Sequence, residues 1–130
     1  MGARNLTKSQ FSLERDVVRL FARGTGAATS SLTAVKGKGI ASIARTGTGA
    51  HTITLQDWWA GLLMFSAAVI DPNSTDDWEV VVVEDKVSDS TAKTLKIAIF
   101  KGGTAADLST DEKILLEIIL SNTNTLPKGF

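Results

Sequence analysis

WEVVVVE, residues 78–84, sets four consecutive valines between a tryptophan with its glutamate and a second glutamate. Valine is stiff at χ1 and packs well on a pleated surface, so this run predicts a strand. Downstream, TLKIAIF (94–100) places Leu95, Ile97 and Ile99 against Lys96 and Ala98, the alternation of a strand with one buried face. KILLEIIL (113–120) is apolar nearly throughout and could pass for a helix. It is short, isoleucine-rich and bounded by loop signals, which favours a central strand. Ahead of it, Ser109 and Glu112 have capping-box spacing and predict a single helical turn.

Upstream, Asp71 to Asp77 (DPNSTDD) predicts a loop. Trp58 to Ile70 reads two ways. It could be a buried helix capped by Asp57, or a turn at Trp58–Gly61 followed by a strand from Leu63 to Ile70. The strand reading is preferred. Ile40–Arg45 and His51–Leu55 flank Thr46-Gly47-Thr48-Gly49 and predict a β-hairpin, because glycine tolerates the positive φ of a tight turn. Val17 to Arg23 is a further strand, with Val18, Leu20 and Ala22 on one face and Arg19 and Arg23 on the other; Leu32 to Val35 is a short one.

These runs predict an all-β, single-domain antiparallel β-sandwich or squat β-barrel of seven to eight strands over residues 17–122. Apolar runs near both ends of the domain place its first and last strands deep in the sheet. Residues 1–16 read as an extended N-terminal arm and 123–130 as a C-terminal tail, since neither sustains a period of 2 or 3.6.

Cysteine is absent, which excludes disulfides and thiolate metal sites and fits folding in a reducing cytosol. The net charge of zero hides an asymmetry. Residues 1–50 carry eight basic and two acidic side chains, whereas 51–130 carry six basic and twelve acidic, so the halves are +6 and −6. Such a split marks either a basic arm or patterned contacts between subunits, unless folding intermixes the charges. No signal peptide or membrane span is expected: the apolar run from Trp58 to Ile70 is interrupted by Gly61 and Ser66, and is shorter than the ~20 residues a bilayer requires.

Catalytic chemistry finds little support. His51 is the single histidine, and it reads better as a half-exposed strand residue than as a catalyst or zinc ligand. The Gly24/Gly26, Gly37/Gly39 and Gly47/Gly49 pairs miss the dinucleotide and phosphate-loop spacings, and no G-x-S-x-G elbow occurs. Asp71, Asn73, Thr75, Asp76 and Asp77 offer oxygens as a calcium loop does, but Val82 stands where its bidentate glutamate is needed. Nucleic-acid binding is disfavoured, because tyrosine is missing, the tryptophans neighbour acids, and Phe21 and Phe100 are assigned to the core. No enzyme activity, cofactor or metal is expected. Of the tryptophans at least one should fill the core, and Trp59 is assigned to a protein contact, where tryptophan is enriched among energetic anchors.

GIASIARTGTGAHTITLQD (39–57) and VVVVEDKVSDSTAKTLKIAIFKGGTAADLSTDEKILLEIILSN (80–122), with the strand from Val17 to Gly26, resemble small virion proteins of tailed phages. The resemblance spans most of residues 14–122 and rests on turn and strand features. It implies a capsid decoration (cement) protein that binds between major capsid subunits, as a homotrimer on the capsid surface, after synthesis in the host bacterial cytoplasm. The alternative it leaves is a head or tail fibre domain that binds a host receptor or another fibre protein. Neither nucleic acid nor a membrane is an expected partner. Expected contacts are Arg4, Leu6, Lys8, Phe11, Leu13 and Arg15 on the arm, with Arg19, Arg23 and Trp59 on the domain.

Overall fold

The structure, a computed structural model, describes residues 17–73 and 77–122. Nine strands form two antiparallel sheets packed face to face, a β-sandwich without a helix among the described residues. One sheet, here the outer-face sheet, has the order β2 (Thr33–Gly37), β1 (Val17–Thr25), β9 (Lys113–Ser121), β5 (Gly61–Ile70). The facing sheet has the order β3 (Ile40–Gly47), β4 (Ala50–Leu55), β7 (Thr94–Lys101), β6 (Trp78–Lys86), with β8 (Thr104–Ala105) paired to β7.

Alternation decides which side chains enter the core. Val18, Leu20 and Ala22 of β1 face inward, as do Ile114, Leu116, Ile118 and Leu120 of β9. They meet Ile53 and Leu55 of β4 and Leu95, Ile97 and Ile99 of β7. Fully burying an aliphatic side chain of this size stabilises by roughly 1.5–3 kcal/mol, so these two central strand pairs dominate the packing. The first and last strands do pair, over the whole of β1 from Val17 opposite Ser121 to Thr25 opposite Lys113.

Two plugs close the ends of the sandwich. At one end Trp59 N–H donates to the Val87 carbonyl at 2.9 Å and Ala60 N–H to that of Ser121 at 3.0 Å. At the other, Leu108 is buried, and its carbonyl accepts Ala28 N–H at 3.0 Å. Gly26 is required there by close approach: a Cβ on it would lie 2.1 Å from the Ser109 carbonyl oxygen.

Trp58 to Ile70 contains no helix; its strand, β5, begins at Gly61, two residues before the expected Leu63. The helical turn expected at Ser109–Glu112 is instead a hydrogen-bonded turn. The Glu112 carboxylate accepts Ser109 N–H at 2.6 Å and Glu112 N–H reaches the Ser109 carbonyl at 3.0 Å. One half of the capping pair therefore forms, but β9 starts at Lys113 and leaves no residues for a helix. The strand missing from the sequence reading is β8, two residues beyond the Gly102-Gly103 turn, where both glycines have positive φ.

Candidate functional site

Three strands carry the surface with the most unusual chemistry. On the solvent side of the outer-face sheet, β1 presents Arg19, Phe21 and Arg23. The neighbouring β9 presents Lys113, Leu115, Glu117 and Ile119, and β5 presents Met64, Ser66, Ala68 and Ile70. Register aligns them in rows: Arg19, Ile119 and Met64; Phe21, Glu117 and Ser66; Arg23, Leu115 and Ala68. A solvated sheet face ordinarily carries polar side chains. Here Met64 is 59% exposed, Ile70 47%, Phe21 45% and Leu115 41%.

Size differences within the rows produce a hollow. Ser66 and Ala68 are small, while Phe21, Leu115 and Glu117 stand beside them. The result is a shallow depression of about 270 Å³, with Ala67 and Leu116 completing its lining. Glu117 is held from both sides, by the Arg19 guanidinium at 3.7 Å and by the Ser66 hydroxyl, which donates to it at 3.4 Å. Arg19 and Arg23 border the hollow on the β1 side and Lys113 stands at its end. This arrangement can seat an apolar side chain and attract acidic groups at its margin.

A second polar cluster is partly buried, with His51 on its inner side. Arg45 of β3 makes a bidentate pair with Asp107, at 3.0 and 2.9 Å, and Gly49 N–H donates to the same carboxylate at 2.9 Å. The Arg45 hydrogen bonds, chiefly, hold the Asp107 pKa below the ordinary carboxylate value, against desolvation. His51, opposite Arg45 in the β3–β4 ladder, is only 2% exposed. Burial lowers its pKa, Asp107 opposes that shift, and Arg45 reinforces it. Neither ring nitrogen has a hydrogen-bond partner among the described residues. The cluster ties the β3–β4 hairpin to the segment between β8 and β9. No group of three or more His, Asp or Glu side chains suited to a metal occurs among the described residues.

Three expectations need correction. Trp59 is not a surface contact: it is 8% exposed and plugs the sandwich, whereas Trp58 is 52% exposed. The pair lies ahead of β5, so strand alternation does not assign it, and the Trp59–Val87 backbone bond turns Trp59 inward. Phe21 is not in the core, since it shares the parity of Arg19 and Arg23; Phe100 is half-buried. His51 is not half-exposed, because it shares the parity of Ile53 and Leu55. Arg19 and Arg23 do lie on one face, bordering the hollow. Arg4, Leu6, Lys8, Phe11, Leu13 and Arg15 lie outside the described residues, as do Thr75 and Asp76 of the acidic loop. The sequence reading misses Phe21, Met64, Ser66, Ala68 and Leu115, although parity with Arg19 is a usable signal for Phe21.

Comparison with known protein families, with curated proteins and with solved structures returns no match.

Proposed function

We propose that this chain is a structural virion protein that decorates the head of a tailed phage, docking between major capsid subunits and stiffening the shell. The observation that carries the reading is the apolar, hollowed face of β1, β9 and β5, bordered by arginines. Exposed apolar surface of this kind marks an interaction site, and arginine at its rim, with the central Glu117 paired to Arg19, suits a protein partner. The resemblance of residues 14–122 to virion proteins supplies the setting. Chemistry is not part of the role, and the capsid surface is where the protein acts.

The N-terminal sequence adds an anchor. The chain enters β1 at Val17, on the sheet that carries this face, and residues 1–16 precede it in sequence. Leu6, Phe11 and Leu13 supply apolar contacts there, and Arg4, Lys8 and Arg15 supply positive charge toward an acidic capsid surface.

Cosedimentation with purified heads lacking the protein tests the reading, with electron microscopy to locate what binds. Lattice-wide binding is expected. Leu115→Lys, which places an ammonium in the exposed face without entering the core, should lower occupancy at least tenfold, equivalent to about 1.4 kcal/mol. Attachment confined to a vertex or tail would replace decoration with a fibre role, and binding unaffected by Leu115→Lys would remove this face from it.

A further inference from the structure

The sandwich has two flanks, and they are built differently. On one side lie β2 and β3. Only five residues long, β2 carries Lys36 and a positive-φ Ala34, and the β3–β4 ladder is irregular at two places. Short length, lysine and bulges are the devices by which sheet edges avoid pairing with other chains. On the opposite side lie β5 and β6, the two remaining edges. Ten residues long, β5 has no charged residue from Gly61 to Ile70, and its ladder is regular from Met64 onward. It is apolar toward both faces: Phe65, Ala67 and Val69 point inward yet stay only partly buried, as do Val80 and Val82 of β6. Val81 and Val83 add exposed apolar side chains on the outer side of β6.

We propose that this flank is where two copies of the chain associate, by antiparallel pairing of β5 with β5 of a second copy about a two-fold axis at Ser66. That register sets large against small on both faces. Met64 lies opposite the partner's Ala68, Phe65 opposite the partner's Ala67, and Ser66 opposite the partner's Ser66. No like charges meet along β5, whereas a charged partner strand would find no counterpart on it. The available area suffices. A flank of ten residues at ~3.3 Å each, and about 20 Å deep for two sheets ~10 Å apart with their outer side chains, covers roughly 650 Å² per copy. Roughly 1,300 Å² in total falls within the range of about 1,200–2,000 Å² for specific, stable protein interfaces.

β5 is the unguarded edge of this flank, since β6 beside it is charged at its ends and irregular between Val82 and Glu84, and a single edge pairing with its own copy favours an isologous two-fold contact. A head-to-tail ring, including the three-fold one expected from docking among capsid subunits, would have to use the guarded β2–β3 flank as its second surface. A two-fold axis perpendicular to the paired sheet also puts both outer faces on the same side. The dimer thus presents one doubled docking surface. The pairing itself does not depend on the capsid reading.

Sedimentation equilibrium of the full chain is expected to give a dimer of the 13.8 kDa chain at micromolar concentration. Ser66→Lys, on an exposed side chain, should raise the dissociation constant at least tenfold with the circular dichroism spectrum unchanged. Cross-linking supplies a test that does not weaken the interface. The chain has no cysteine, and directly opposed residues of an antiparallel pair have Cα atoms about 4.5–5.5 Å apart, within disulfide reach. Oxidised Ser66→Cys should therefore yield covalent dimer faster than Met64→Cys, whose partner across the axis is Ala68. A monomeric full chain, a trimer, or equal cross-linking at both positions would overturn the proposal. So would dimerisation seen only after residues 1–16 are removed, which would mean that the chain covers its own edge. A full chain that dimerises yet does not bind heads would count against the docking reading alone.

Discussion

His51 shows how one buried side chain can set a pH response. Its imidazole is enclosed by the sandwich, and burial depresses its pKa below the ordinary 6.5. The unfolded chain therefore takes up this proton at a higher pH than the folded chain does. His51's contribution to stability is complete above 6.5 and is lost as the pH falls toward the folded-state value. Melting temperature should fall between pH 7.5 and 5.5, before most carboxylates titrate. His51→Leu should flatten that interval and leave the pH 7.5 value unchanged or higher, because it removes two buried nitrogens without partners. A pH 5.5–7.5 melting profile with the same slope in His51→Leu as in the parent would show that the histidine is not the sensor.

The elements explain which parts of the structure are legible in the sequence. β6 announces itself through its run of β-branched valines and β7 through strict alternation, whereas β9, apolar nearly throughout, is read from its isoleucines and short length. β5 is ambiguous for a physical reason: an edge strand apolar on both faces has no alternation to read, and its alanines suit a helix equally well. The same feature hides Met64, Ser66 and Ala68 of the proposed docking face. Phe21 reads as core because it is aromatic, although its parity with Arg19 places it outside. The β3–β4 hairpin is legible from its glycines, and the structure shows what Gly49 does. It has φ of +68°, its N–H binds Asp107, and a Cβ would lie 2.5 Å from the Ile99 carbonyl oxygen. Gly49→Ala should lower the melting temperature by several degrees and loosen the adjoining β7 register, because the backbones of Ile99 and Ala106, both against the added Cβ, cannot move aside cheaply. At Gly47 an added methyl would meet only the Ala50 Cβ, at 3.9 Å, so alanine there should have a much smaller effect. Equal losses in the two variants would show that space at Gly49 is not the constraint.

For the whole molecule, the issue is where the opposed charges of the two chain halves end up. Among the described residues folding joins them at two places, Arg19 with Glu117 and Arg45 with Asp107. Glu84 instead pairs with Lys86 and Lys96 of its own half. Arg23 and Lys36 have no ion pair among the described residues and stand on adjacent strands, opposite one another in the β1–β2 register. Positive charge without an ion pair therefore stands beside the proposed docking face. Attachment to heads should weaken as salt rises, because charges at an exposed rim are screened over a Debye length of about 10 Å at 0.1 M. Arg19→Glu combined with Arg23→Glu should lower occupancy at least tenfold at low salt and reduce its salt dependence. Stability should change little, since both side chains lie on the solvated face and the Arg19 pair is largely exposed. The decisive measurement is occupancy of the parent and the double variant across salt concentrations. If the parent releases equally at low and high salt, and the reversal changes nothing, the arginine margin has no part in docking and the apolar hollow alone would have to account for it.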